Sequence, residues 1–168
     1  QPDPLIQVSF TGDRSLLDYS RGISMKNRES TVLHVEKQTA DKSGVETFLT
    51  DGAGNYYTHV LRYDEKTGVF TATVDYENRT GKTKTLEFLQ SGCFSLVPAN
   101  GADKFSLYRM TSAWSRECKL KKENFFDLGL EQSWANYGLK SEKWGSVGSM
   151  PNRGYYPFAA IEDVDGVI

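Results

Sequence analysis

Hydrolysis by a pair of carboxyl groups sets a distance requirement. Double displacement needs the two groups about 5–5.5 Å apart, and single displacement through a bound water needs about 6.5–9.5 Å. The tempting local pair is Asp127 and Glu131, expected on one face of an alternating strand. Four residues at ~3.3 Å each place them ~13 Å apart, too far for either route. Glu162 and Asp163 are adjacent, so in a strand they point to opposite faces. Carboxylates from different strands can still converge, but the sequence alone does not reveal such a pair, and no Asp or Glu is assigned a catalytic role.

Other chemistries find less support. His34 and His59 are the two histidines. With Cys93 and Cys118 they fit no zinc-ligand spacing, so they read as ordinary strand residues and no metal is expected. A nucleophilic serine would need one of these histidines beside it, and no Gly-x-Ser-x-Gly elbow is present. Gly145-Ser146-Val147-Gly148-Ser149 looks like a phosphate loop, but it lacks the following lysine and helix. No cofactor is expected. What remains is aromatic. Trp144, Arg153, Tyr155 and Tyr156 are the candidate carbohydrate-binding or domain-interface residues, since aromatic rings with a polar handle suit sugar faces and protein interfaces alike. Trp114 and Trp134 are expected in a core or at its seam with another domain.

These residues depend on the run from Trp144 to Asp163, a glycine-punctuated loop that enters a strand. Pro151 and Pro157 each remove a backbone donor and bias the preceding residue towards extended geometry. Tyr156–Ile161 is aromatic and β-prone, with Pro157 at its start or on an edge.

Upstream, turn signals recur every 8–12 residues or so, the spacing of an antiparallel sandwich or barrel. Strands are expected at 5–10, 31–38, 45–50, 57–63, 69–76, 84–89, 94–97 and 105–114, and from 140 to 147. Residues 117–130 read as two strands or one bent strand, and 14–30 as a loop. Asp41–Gly44, Asp51–Asn55, Asp64–Gly68 and Glu77–Gly81 are the hairpin turns, the last joining the strand at 69–76 to the one at 84–89. Asp163–Gly166 is a further turn. No window carries an apolar stripe at helical spacing. The fold class is all-β, an antiparallel β-sandwich, with residues 1–168 as one region.

The 168 residues are 38% hydrophobic and 25% charged, as in ordinary globular proteins. A net charge of -2 makes no electrostatic case for nucleic acid or an anionic membrane. No transmembrane run or signal peptide is evident, and the compartment reading leans to the cytoplasm. Lys119-Leu120-Lys121-Lys122 reads as a solvated strand edge. Cys93 and Cys118 make no disulfide framework; a pairing across neighbouring strands is open, and free buried thiols are the favoured reading. Asn78-Arg79-Thr80 is a glycosylation sequon in a turn, which by itself says little about compartment.

Three runs together carry a family resemblance: Tyr108–Glu117, Leu128–Trp134 and Trp144–Asp163, with Ser149-Met150-Pro151-Asn152-Arg153-Gly154-Tyr155-Tyr156-Pro157-Phe158 the most specific. From Thr85 to Ile168 the chain resembles the N-terminal β-domain of family 36 glycoside hydrolases, the α-galactosidase or melibiase group. The resemblance implies a β-supersandwich like that of galactose mutarotase, truncated here at its C-terminal end. It implies a (β/α)8 barrel beyond Ile168 holding both catalytic aspartates, with an α-galactoside as the substrate of that barrel. This region would then be inactive alone. It would brace the barrel, shape its pocket rim and take part in homo-oligomerisation, with Trp144, Arg153 and Tyr155 on the loop facing the barrel or a neighbouring subunit. A freestanding carbohydrate-binding or protein-interaction module is the alternative.

Overall fold

The computed structural model describes residues 5–13, 33–92, 101–130, 142, 144–145 and 154–166. The chain forms two compact units, Gln1–Asp18 with Met25–Ser95, and Tyr19–Ser24 with Leu96–Ile168. The described secondary structure is antiparallel β throughout, apart from one 3-10 turn at Ala102–Lys104. The fold is all-β and sandwich-like, as expected. Among the described residues no helix is long and apolar enough to cross a membrane.

Among the described residues the first unit holds six strands: β1 (Gln7–Phe10), β2 (His34–Asp41), β3 (Gly44–Thr50), β4 (Asn55–Asp64), β5 (Val69–Asn78) and β6 (Leu86–Gln90). Strands β2 to β5 form a meander in chain order, and β1 pairs with β6 in a separate ladder. Short-range chemistry sets each turn. In the β2–β3 hairpin, Asp41 Oδ1 accepts from the Ser43 amide (2.7 Å), the Ser43 hydroxyl (2.7 Å) and the Gly44 amide (3.0 Å). Gly44 is dictated by space, because a Cβ there would lie 2.0 Å from the Leu61 carbonyl oxygen. Asp51 Oδ1 accepts from the amides of Ala53 and Asn55 and shapes the β3–β4 turn. Gly54 in that turn has φ +100°, a conformation that favours glycine.

Period-two alternation then builds the core. Ile6, Val8 and Phe10 pack against Leu49 of β3 and Tyr57 of β4, with Val74, Tyr76 and Leu89 at the margin. The Tyr76 ring lies 5.3 Å from both Phe10 and Tyr57. The expected hairpin between 69–76 and 84–89 does not form. The β6 strand crosses to β1, setting Leu89 opposite Val8, because β1 needs a ladder partner to present its apolar side to the core. Asn78 and Thr80 close the departing turn, through Asn78 Nδ2 to the Lys82 carbonyl (2.8 Å) and the Thr80 hydroxyl to Asn78 Oδ1 (2.7 Å). The sequon therefore sits in an exposed turn, in keeping with its sequence.

The second unit is built on β7 (Ser106–Met110), flanked by β8 (Leu120–Asn124) and β9 (Ala160–Glu162). Ala102, Phe105, Leu107, Phe125 and Leu128 form its core, with Leu130, Trp144 and Ile161 packed on them. Several expectations change here. The strand expected at 105–114 stops at Met110. Thr111 makes one bridge to Tyr155, the Ser112 amide turns to the Gly154 carbonyl (2.9 Å), and a turn follows. Trp114 lies on that turn and is 87% exposed, so it is not a core residue. Cys118, expected to be a buried free thiol, is free but exposed. Residues 117–130 supply only β8. A string of tight turns follows, closed by Leu128 N–H to the Asn124 carbonyl and Leu130 N–H to the Phe125 carbonyl, so Asp127 is exposed on a turn and not on a strand. The strand expected from Tyr156 starts only at Ala160, because the Phe158 amide donates back across Pro157 to the Tyr156 carbonyl (2.8 Å). Cys93, Trp134, Glu131, Arg153 and the expected elements at 14–30 and 94–97 lie outside the described residues, as does most of 140–147.

Candidate functional site

Two of the three runs that carry the resemblance, Tyr108–Glu117 and Trp144–Asp163, meet in the second unit through their described residues. Besides the Thr111–Tyr155 bridge, the Tyr156 amide donates to the Met110 carbonyl (3.0 Å). The end of β7 and the Gly154–Tyr156 stretch are thus neighbours, and alternation sends Tyr155 and Tyr156 to opposite sides.

On the inner side the chain buries a cation. Leu107 and Arg109 are the inward positions of β7, and Arg109 is 3% exposed. An unpaired guanidinium there would carry a large desolvation cost. Two carboxylates meet it. Glu123, on β8 opposite Leu107, accepts from Arg109 Nη2, and Glu142 accepts from Nη1 at 3.0 Å. Two rings flank the guanidinium, Tyr155 at 4.2 Å and Trp144 at 5.3 Å. Lys121, the cross-strand neighbour of Arg109, lies 5.7 Å from the Tyr155 ring. Burial pulls the Arg109 pKa down, but the hydrogen bonds to Glu123 and Glu142 outweigh it and the net shift is upward. Arg109 Nε and Ser112 Oγ are buried without a hydrogen-bond partner.

The outer side of the same sheet is different. Tyr108, Met110, Leu120, Phe158 and Ala160 line a groove of about 260 Å³. Leu120 and Phe158 are more than half exposed. Tyr156 stacks on Phe158 with centroids 6.0 Å apart and 19° between planes. At the rim, Glu162 accepts from the Tyr108 hydroxyl and from Lys122 Nζ, both at 2.6 Å. The Lys122 ammonium, and next the Tyr108 hydroxyl, hold the Glu162 carboxyl below its ordinary value; the same contact raises Lys122. The Cys118 thiol is 3.8 Å from the Tyr156 hydroxyl, and this contact raises the Tyr156 pKa.

The four candidates read from the sequence therefore separate. Trp144 and Tyr155 come together on Arg109, Tyr156 turns to the grooved side, and Arg153 is outside the described residues. Arg109, Glu123 and Glu142 were not singled out from the sequence. The inward register of β7, which places Arg109 on the face of Leu107 and so demands acids nearby, comes from the structure. His59 is buried on β4, with Nε2 2.9 Å from the Ser91 carbonyl, and serves as a strand residue. Among the described residues no group of three or more His, Cys, Asp or Glu could hold a metal ion.

Several carboxylates of the described residues are committed to structure. Glu123 and Glu142 neutralise Arg109, Glu162 holds Lys122, Glu77 holds Arg79, and Asp41, Asp51, Asp64 and Asp163 close turns. The arrangement around Arg109 can grip and orient side chains. No protein-family profile matches the chain, and neither curated proteins nor solved structures give a match.

Proposed function

We propose that this chain is the non-catalytic N-terminal β-region of a retaining α-galactosidase-like glycoside hydrolase, supporting a (β/α)8 barrel and one rim of its pocket. One observation carries the reading. Two of the segments that carry the resemblance, the end of β7 and Gly154–Tyr156, are next to one another in the second unit, and Arg109, Trp144 and Tyr155 of these runs are engaged with one another and with Glu123 and Glu142. A brace needs that arrangement, whereas an acid–base centre needs carboxyls free to exchange protons with substrate. Hydrolysis, in this reading, belongs to barrel carboxylates encoded after Ile168. The test is the reading frame of the gene beyond that codon. The expected result is about 300 further codons, with strands and helices alternating as in a barrel. A stop codon directly after Ile168 overturns the proposal.

A second reading, a protein-interaction module, draws on the groove between Leu120 and Phe158, whose lining side chains are almost all apolar. Such a surface suits a hydrophobic side chain better than a hydroxylated sugar. Binding of apolar peptides to the chain, lost in Phe158→Asp, would favour this reading, and no such binding is expected of a brace.

A further inference from the structure

We infer that Arg109 is a positioning residue: it fastens the segment bearing Glu142 and Trp144 onto the three-stranded sheet and so fixes where Trp144 and Tyr155 stand. The inference deepens the proposed function only in taking these two rings as partner-facing; their seating on Arg109 does not depend on it.

The two carboxylates are anchored unequally. Glu123 belongs to β8 and is held by the ladder whether or not Arg109 is present. Glu142 is 33 residues from Arg109 in sequence, and neither it nor Trp144 lies in a strand. Two of the contacts that seat this segment end on the same guanidinium, the Glu142 ion pair at 3.0 Å and the ring of Trp144 at 5.3 Å. Trp144 adds apolar packing against the second core.

Charge makes the fastening conditional. One guanidinium faces two carboxylates whose side chains are 27% and 21% exposed. Remove the cation and two like charges face each other in a half-buried site, which disfavours both remaining there. Glu123 stays on its ladder, so the loss falls on the Glu142 ion pair and on the Trp144 ring that shares the guanidinium. Lysine is a weak substitute, because an ammonium lacks the planar fork that spans two carboxylates while lying between two rings.

The experiment uses the 168-residue chain labelled with 5-fluorotryptophan, with the Trp144 fluorine resonance assigned by its loss in Trp144→Phe. In Arg109→Met the Trp144 resonance should move to the exposed position and acquire the solvent-isotope shift of a wetted indole. Amide exchange at residues 142, 144 and 145 should accelerate by roughly a hundredfold, as expected for a broken buried ion pair. Arg109→Lys should fall between the two, and Glu142→Gln, whose amide oxygen still accepts, should stay near the parent. Adding Glu142→Gln to Arg109→Met should return the resonance part of the way, since the repulsion is gone. If Arg109→Met does not fold, Glu142→Ala takes its place, because it cuts the strap and leaves Arg109 on Glu123. An unmoved Trp144 resonance in a folded Arg109→Met or Glu142→Ala chain overturns the inference. These signals do not depend on any residue beyond Ile168, so this inference and the proposed function can fail separately.

Discussion

The two units bury their inner faces by different means. The first closes on hydrocarbon and rings, Ile6, Val8, Phe10, Leu49 and Tyr57, with polar side chains such as Thr47, Thr50 and Asn55 buried beside them but no buried ion pair among the described residues. The second combines an apolar cluster with an arginine that is as buried as Leu107 beside it. An apolar core degrades gradually, since each lost methylene leaves a cavity that its neighbours partly fill. An ionic core does not, because removing one partner strands the others in a place where charge is disfavoured. The second unit thus ties distant parts of the chain to one side chain, and the first spreads its stability over many.

The largest effect that can break this comparison is Arg109→Met. It should destabilise the second unit by about 3–5 kcal/mol, measured by denaturant-dependent amide exchange read separately in each unit. A loss below about 1 kcal/mol would mean that the ion cluster is dispensable. Next comes Ile6→Ala, which deletes a fully buried side chain from the first core and should cost about 2–5 kcal/mol by the same measurement. Tyr76→Phe is smaller. It removes the hydroxyl that donates to Asn55 Oδ1 at 2.9 Å, and a cost of about 1 kcal/mol is expected.

The smallest effect is a titration. Asp41 has its pKa lowered from 3.8 to about 2, first by the Ser43 hydroxyl, then by the Ser43 amide and by Arg62. A depressed carboxyl contributes stability that is present above the unfolded value and is lost as pH falls towards the folded one. The β2–β3 turn should therefore hold at pH 4 and loosen as pH approaches about 2. Carboxyl NMR should find the Asp41 midpoint near 2, and Ser43→Ala should move it back towards 3.8. A midpoint already near 3.8 in the parent chain would show the turn to be unformed.

Legibility in the sequence followed the same division. In the first unit, short-range signals decided the outcome. Asp41–Gly44, Asp51–Asn55 and Asp64–Gly68 are turns because their aspartates bond nearby amides, and the strands between them alternate as expected. What local pattern could not convey was partner choice: nothing in Leu86–Gln90 announces that it pairs with β1 and not β5. In the second unit the deciding contacts are long-range. Tyr155 looked like its neighbour Tyr156, yet a one-residue alternation sends one ring onto Arg109 and the other onto Phe158. Trp114 looked like a residue of the core or its seam because the strand was read as reaching it, and β7 ends at Met110 before a turn that leaves Trp114 exposed. Arg109 itself reads as a surface residue until the inward register of β7 is known.

The role proposed for this region is to brace a catalyst rather than to be one. Incubation of the purified 168-residue chain with an aryl α-galactoside tests it most directly. The account predicts release of the aryl group at the rate of buffer alone. Release above that rate, lost on substituting a carboxylate of this chain, would contradict it.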